Sequence, residues 1–324
     1  MLYFLTLLPV ISFLLILMWL DSFSLIRKRH LVIMFAWGLA SAYLVNVGGD
    51  FIERYTPISP LGELVSEEFF KGLGVFLLIR MRKSAFFIDA AVYGAASGAG
   101  FAFLENIIYV NLFPDMTMGT AIMRGFGTAI MHCGAVAGTA ALLSWFDSYY
   151  HYLHRYYPIA ILPAIAIHYT YNSFVLPPMI SLTLIMIGVT VWLIFLFMYN
   201  EKSIAKWLDM ELASKVEMLS SMRKGEFTKS RGGQYMLSIR DQFHADSFLN
   251  MYCYVQLYFE LSIAAKTNMM LREAGFPTVS NSELSDKAKE FCILRKKIGK
   301  TGRIALSPLV KMDRVTVWEI ESLM

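Results

Sequence analysis

The sequence contains few charged residues and few cysteines. Asp, Glu, Lys and Arg make up 17% of its 324 residues, whereas soluble domains carry roughly 25%, which argues against a single soluble enzyme. Three cysteines, Cys133, Cys253 and Cys292, are too few and too scattered for a disulfide-stabilised secreted module or a cysteine-rich zinc site. A formal net charge of +4 is too mild and too diffuse to indicate a nucleic-acid-binding protein.

The charged residues that are present are distributed unevenly along the chain. Residues 1–200 contain ten Lys or Arg and ten Asp or Glu, whereas residues 201–324 contain 19 and 15. A long stretch with so little charge is typical of membrane-embedded helices, and the charge content of the second stretch is typical of a water-facing domain. We therefore expect a transmembrane bundle at 1–199 and a soluble helical domain at 200–324.

Apolar runs long enough to cross a bilayer recur along the first part. A helix needs about 20 residues to span the roughly 30 Å hydrocarbon core. The first run has no basic residues before it and no small-residue cleavage site, so we interpret it as a retained helix and not as a signal peptide. The predicted fold class is an all-α polytopic membrane bundle with seven spans, at 2–20, 31–48, 58–79, 84–110, 119–146, 157–176 and 178–199.

The basic residues of the connecting loops predict the orientation of this bundle. Nine Lys or Arg follow the odd-numbered runs, and one, Arg54, follows an even-numbered run. Basic residues near the ends of membrane helices favour the cytoplasmic side. We therefore predict an N-terminus outside the membrane and a C-terminal domain in the cytoplasm.

The C-terminal part is predicted to be helical. The stretch from Cys253 to Ala265 is densely apolar but only 13 residues long, so we expect it to be the core of a soluble domain and not an eighth span. A polar, glycine-bearing break is predicted between Gly225 and Gly233. The expected helices lie at 201–222, 241–274, 283–298 and 311–323.

Ionisable side chains inside the predicted spans are functional candidates. Each costs several kcal/mol unless it faces a partner or water. Four helices bring acid or imidazole groups into the central and outer layers of the membrane. The candidates are Glu67, Glu68 and Lys71 in the third run, Asp89 and Glu105 in the fourth, Arg124 and His132 in the fifth, and His168 with Asn172 in the sixth.

Small residues predict close helix packing beside these groups. Gly94 and Gly98 in the fourth run, and Gly134 and Gly138 in the fifth, have the four-residue spacing that lets helix backbones approach each other in membranes. We expect them to shape the site without taking part in its chemistry.

The densest polar group is Glu67-Glu68-Phe69-Phe70-Lys71. Glu67 and Lys71 lie one helical turn apart and can pair. A single Glu–Lys pair is typical of a structural ion pair between helices, but a second glutamate leaves one carboxylate over. A carboxylate held in a dry site beside a like charge is suited to act as a general base on water.

Four short motifs follow one another along the third to sixth runs, within residues 60–175. Each motif alone is weak, but the four in this order resemble the PrsW family of intramembrane proteases, which is related to CAAX prenyl proteases and bacteriocin-processing proteins. The motifs are Glu67-Glu68-x-x-Lys71, Phe101-x-x-x-Glu105, His132 and His168-x-x-x-Asn172.

The resemblance implies a function and a set of catalytic residues. The chain would be a glutamic-type intramembrane endopeptidase in which Glu67 activates water, Glu68 supports it, and His168 stabilises the oxyanion together with Asn172. It would need no cofactor. The implied catalytic set is Glu67, Glu68, Glu105, His132, His168 and Asn172, with Lys71 as a charge partner.

The resemblance also implies a setting. The substrate would be a membrane-anchored protein, such as an anti-sigma factor, and the enzyme would be integral to the bacterial inner membrane. No nucleic-acid partner is expected. The domain at 200–324 is expected to act as a cytoplasmic regulator, a substrate-recruiting module or a homo-oligomerisation module, and its sequence does not distinguish among these roles.

The sequence argues against two other classes of intramembrane protease and leaves two alternative functions open. The sequence contains no His-Glu-x-x-His string and no Gly-x-Gly-Asp string, which argues against the site-2 metalloproteases and the aspartyl intramembrane proteases. A zinc protease that uses Glu67, Glu105, His132 and His168 as ligands remains an alternative, because these residues are chemically adequate ligands. A non-catalytic membrane sensor or a proton-coupled transporter is a second alternative, since intramembrane Glu, His and Lys also occur there.

Overall fold

The computed structural model describes residues 1–19, 26–57, 59–84, 86–150, 153–173, 177–279, 282–312 and 314–324. These residues are helical and contain no strand, so the predicted all-α class is confirmed for them. The chain divides into two compact units, Met1–Asn200 and Glu201–Met324.

The first unit contains seven helices at the positions of the seven apolar runs. Each helix begins and ends within a few residues of the predicted run, except that the last continues beyond residue 199 into the second unit. The helices are α1 (Leu2–Trp19), α2 (Lys28–Glu53), α3 (Pro60–Arg80), α4 (Phe87–Leu112), α5 (Met118–Tyr150), α6 (Leu153–Asn172) and α7 (Pro178–Arg223).

Among the described residues, four segments are long and apolar enough to cross a membrane: Lys28–Glu53, Phe87–Leu112, Met118–Ser148 and Pro178–Tyr199. The prediction of membrane helices is confirmed to this extent. α1 contributes a shorter apolar segment, α3 carries three glutamates and a lysine within its length, and α6 contains two prolines. Seven crossings and their orientation therefore remain a prediction.

The centre of the first unit is α4, which is buried along most of its length. Its small residues allow neighbouring backbones to lie against it. A Cβ atom at Gly94 or Gly98 would collide with backbone atoms of α5, and one at Gly100 would collide with the Phe35 carbonyl of α2. The packing role predicted for Gly94 and Gly98 follows directly from these contacts.

The two glycines of α5 differ from each other. A Cβ atom at Gly134 would meet the side chain of Val189 on α7. At Gly138, in contrast, a Cβ atom would meet no described atom within 4 Å. The expectation of close packing at Gly138 is wrong, because this position faces open space.

The second unit is built around α9, whose apolar centre was expected to be a soluble core. Met251, Val255 and Leu261 of α9 are fully buried, and Phe291 and Leu306 pack in the same cluster. After α7, the unit contains 3₁₀ turns at Phe227–Lys229 and Arg240–Gln242 and the helices α8 (Arg231–Ile239), α9 (Ala245–Glu273), α10 (Ser282–Lys297), α11 (Gly299–Ala305) and α12 (Arg314–Ser322).

The predicted break between Gly225 and Gly233 is wrong in its second half, where α8 begins at Arg231. The Ser230 hydroxyl accepts a hydrogen bond of 3.0 Å from the Gly233 amide, which caps the helix. Gly233 also lies against the backbone of Phe227, where a side chain would collide. The glycine is therefore present for close packing and does not end the helix.

The loop charges generate a prediction about topology. Reporter fusions after Arg29, Lys83 and Lys202 should report a cytoplasmic location, and fusions near Glu53 and Asp115 should report an external one, because basic loops favour the cytoplasmic side. Alkaline phosphatase and fluorescent-protein fusions measure this. A cytoplasmic signal at Asp115 would contradict the seven-span arrangement.

The contact between α4 and α5 generates a prediction about stability. Gly98→Ala should destabilise the protein by about 1–3 kcal/mol, the usual cost of overpacking, because the new methyl group would meet the backbone of His132 and Cys133. The matched control is Gly138→Ala, which has open space. Thermal unfolding in detergent measures both, and equal melting temperatures would contradict the proposed contact.

Candidate active site

The polar side chains predicted to act together come from four helices of the first unit. α3 supplies Glu67, Glu68 and Lys71 from one turn. This helix starts at a defined point, since the Ser59 hydroxyl accepts a hydrogen bond of 3.1 Å from the Gly62 amide and Pro60 occupies the first turn. The other members are Glu105 on α4, His132 on α5, and His168 and Asn172 on α6.

Lys71 lies at the centre of this group and is completely buried. Its Nζ donates to Glu68 Oε1 at 2.6 Å and to His132 Nδ1 at 2.9 Å, and it lies 3.4 Å from Glu67 Oε2. These contacts use the three hydrogens of the ammonium group. The ammonium also lies 4.2 Å from the centroid of the Phe101 ring, an attractive cation–π distance.

His132 connects Lys71 to Glu105. Because an ammonium can only donate, Nδ1 of His132 is the acceptor, and Nε2 carries the proton that is donated to Glu105 Oε2 at 2.8 Å. Glu105 Oε1 in turn accepts a hydrogen bond of 3.0 Å from Arg124. Glu105 therefore contacts the group through His132 and not directly.

His168 connects Glu68 to the exposed end of the group. Its Nδ1 lies 2.8 Å from Glu68 Oε1 and 3.8 Å from Glu67 Oε2. Its Nε2 lies 3.0 Å from the amide nitrogen of Asn172, which can only donate, so Nδ1 carries the ring proton of a neutral His168. The predicted pairing of His168 and Asn172 on one face of α6 is present.

The exposed fractions of these side chains show which of them lie at the surface of the bundle. Glu68, Lys71 and His132 are at most 1% exposed, whereas Glu67 is 16% and Glu105 is 29% exposed. Asn172 is also exposed. The group thus has a buried ionic centre and an accessible side that presents Glu67.

Two other acidic residues of the predicted spans do not join the group. Asp89 Oδ1 accepts hydrogen bonds from the amides of Phe86 and Ala90 and from the Ser84 hydroxyl, at 2.8–2.9 Å, and so caps the start of α4. Glu63 lies exposed in the first turn of α3. Both have structural positions at helix ends.

Sequence reasoning missed three side chains that hold α3 in place. The backbone carbonyls of Phe69, Phe70 and Lys71 each accept an extra hydrogen bond from another helix. The donors are Tyr157 on α6 to Phe69, Trp37 Nε1 on α2 to Phe70 at 2.9 Å, and Ser97 on α4 to Lys71 at 2.9 Å. In the sequence, these three residues are marked only by a side chain that can donate a hydrogen bond within a largely apolar run.

Arg124 was noted as an intramembrane charge but was not assigned a role. Its guanidinium carbon lies 3.5 Å from the centroid of the Tyr109 ring, and one of its terminal nitrogens pairs with Glu105. Arg124 therefore neutralises Glu105 and fixes the carboxylate that orients His132.

Four of the clustered residues have the donor types of a metal site. Ligand atoms of Glu67, Glu68, His132 and His168 lie within 4.8 Å of one another, and zinc accepts carboxylate oxygen and imidazole nitrogen. This set differs in one member from the set expected from the sequence. Glu68 takes the place of Glu105, because Glu105 lies on the far side of His132.

Lys71 already forms hydrogen bonds with three of these four residues. His132 Nδ1, Glu68 Oε1 and Glu67 Oε2 each accept from its ammonium group, at 2.9, 2.6 and 3.4 Å. The four residues therefore have the ligand atoms that zinc prefers. An ion could bind all four of them only after the Lys71 ammonium has moved away.

Comparison with known proteins identifies the family. A family model described as PrsW family intramembrane metalloprotease matches residues 27–199, which include every clustered residue. No curated protein and no solved structure matches the chain. The family description does not support the expectation of a cofactor-free enzyme, and it favours the zinc alternative. Because the match covers more than half of the chain, and confirms the resemblance carried by the four motifs, this chain belongs to the PrsW family of intramembrane proteases.

Proposed function

We propose that this protein hydrolyses a peptide bond of a membrane-anchored protein and that Glu67 is the base that activates the attacking water. The observation that carries the proposal is the unequal use of the two adjacent carboxylates. Glu68 is buried and bonded to Lys71 and His168 at 2.6 and 2.8 Å. Glu67 is partly exposed, and its contacts with the same partners are longer, at 3.4 and 3.8 Å.

Glu67 has the freedom that a general base requires. Among the described residues, its contacts involve Oε2, so Oε1 is open to a water molecule on the accessible side. Glu67 would take a proton as the water oxygen attacks the substrate carbonyl. The same proton would pass to the amine nitrogen when the carbon–nitrogen bond breaks, which restores the carboxylate.

Asn172 would donate to the developing oxyanion, and His168 would hold the Asn172 amide in position. One hydrogen of the Asn172 amide is used on His168 Nε2, and a second hydrogen remains for the substrate oxygen. A donor held in place before the reaction stabilises charge that appears in the transition state. His168 in turn is fixed by Glu68, so we assign Glu68 a positioning role.

Glu105 and His132 act through Lys71 in this arrangement. His132 accepts from Lys71 and donates to Glu105, and Arg124 anchors Glu105. We therefore assign both residues to the positioning of the ammonium, which differs from the directly catalytic role that the resemblance implied for Glu105.

Zinc-dependent hydrolysis is a second candidate, favoured by the donor set and by the family description. Glu67, Glu68, His132 and His168 would hold the ion. When bound, zinc supplies a Lewis acid that polarises a carbonyl and increases the acidity of water. We place this candidate second because Lys71 is hydrogen-bonded to three of the four residues that would hold the ion.

The first prediction from this proposal concerns Glu67. Glu67→Gln keeps the size of the side chain but removes its basic oxygen, so cleavage should fall by about 10²–10⁴-fold. The measurement is a mass-spectrometric count of membrane-protein fragments in cells that express each variant. The matched control is Glu63→Gln, one turn earlier on the same helix and outside the cluster, which should retain wild-type cleavage. Wild-type fragment levels from a folded Glu67→Gln protein would remove Glu67 as the base.

The second prediction separates the two candidates. Fragment formation by the wild-type protein should survive a zinc chelator, because Lys71 and not a metal ion neutralises the carboxylates. Elemental analysis of purified protein should show more bound zinc in Lys71→Met than in the wild type, because that variant frees the ligand atoms of Glu67, Glu68 and His132 that the ammonium group occupies. Activity lost to the chelator and restored by zinc would instead establish the zinc mechanism and show that Lys71 moves aside.

A further inference from the structure

The proposed function gives the second unit no role, and this unit contains a basic pocket. Its volume is about 360 Å³, within the range of small-molecule sites. Arg295 comes from α10, Lys300 and Arg303 come from α11, and Tyr254 of α9 lies among them. The residues that line the pocket include no carboxylate.

The cations of this pocket differ from other cations of the same unit. Arg223 and Lys287 pair with Glu260 at 3.3 and 3.1 Å, and Lys229 pairs with Glu226 at 2.9 Å. In the portion of the chain that the structure describes, no ion pair involves the three cations of the pocket. Three positive charges therefore line one cavity, and none of them has a carboxylate partner among the described residues. An anion in the cavity would be attracted to all three.

Arg295 and Tyr254 offer hydrogen-bond donors to the pocket. Nε of Arg295 is buried and has no hydrogen-bond partner, and such an orphaned donor costs free energy. Tyr254 is 1% exposed. Burial raises the pKa of Tyr254 to about 12, although the charges of Arg295 and Arg303 act in the opposite direction, so its hydroxyl keeps its proton and can donate.

A simpler explanation accounts for only part of this pattern. Arg295, Lys296 and Lys297 occupy the last turn of α10, where positive charge is favourable next to the negative end of the helix dipole. Solvent-exposed side chains satisfy that role, and Lys296 and Lys297 are exposed. The helix dipole does not explain why the Nε atom of Arg295 is buried in a cavity beside two cations from another helix.

We propose that this pocket binds a phosphate-bearing anion. Guanidinium groups form paired hydrogen bonds with phosphate oxygens, and a phosphate group of charge near −2 would neutralise most of the charge of the three cations. The ligand is either a free phosphorylated small molecule or the head group of an anionic lipid, since both offer the same chemistry. This binding proposal does not depend on the catalytic proposal.

The direct test is an isothermal titration calorimetry experiment in which sodium pyrophosphate is added to the purified full chain in a neutral detergent. Binding should weaken as sodium chloride is added, and Arg295→Gln and Arg303→Gln should each raise the dissociation constant at least tenfold. Lys296→Gln is the matched control, because Lys296 is a neighbouring exposed cation that does not line the pocket. Arg303 is itself exposed, so its variant should keep the fold even where Arg295→Gln does not.

A second arm distinguishes the two sources of the anion. The full chain is placed in nanodiscs of phosphatidylcholine, with and without phosphatidic acid, and hydrogen exchange is followed across residues 295–307. Protection that requires phosphatidic acid, without pyrophosphate binding, supports a lipid head group. Pyrophosphate binding in pure phosphatidylcholine supports a free ligand. Absence of both effects, or an equal loss of binding in Lys296→Gln and Arg303→Gln, would overturn the proposal.

Discussion

The buried ammonium of Lys71 is the constraint on which the catalytic end of this protein depends. A buried charge costs several kcal/mol unless its hydrogens are paired and its charge is balanced. The partners of Lys71 come from its own helix, α3, and from α5, while Phe101 of α4 faces the ammonium. His168 of α6 is held through Glu68. One side chain thus fixes the relative positions of four helices.

This ionic centre is possible because glycines let the backbones of neighbouring helices lie against α4. Gly98 of α4 lets the backbone of α5 approach at His132 itself, so that the imidazole reaches the ammonium. Ser97, the neighbouring residue, donates to the carbonyl of Lys71. The sequence predicted only a packing role for the small residues of α4. In the structure they also set the geometry of the polar cluster.

The positions of the membrane helices and the identities of the clustered residues could be predicted from the sequence, whereas the hydrogen bonds among those residues could not. Apolar runs predicted the helices because spans of the required length are visible without tertiary information, and the motifs brought Glu67, Glu68 and His168 together. The bonds of His132 to Lys71 and of Arg124 to Glu105 could not be predicted, because spacing along one helix does not say which face meets a neighbour. The exchange of Glu105 for Glu68 in the metal set has the same cause, since depth counted along a helix carries an error of about one turn.

The charge balance of the cluster explains why a proton would be taken up at Glu67. With both histidines neutral, Glu67 and Glu68 carry two negative charges against one positive charge on Lys71, while Glu105 is balanced by Arg124. The excess negative charge is poorly solvated in this setting. In the proposed mechanism, a proton transferred from water to Glu67 would leave one carboxylate facing one ammonium, so the base step would relieve the buried excess charge. Zinc added beside a retained Lys71 would reverse the imbalance, so a metal ion and the ammonium would compete for the same carboxylates.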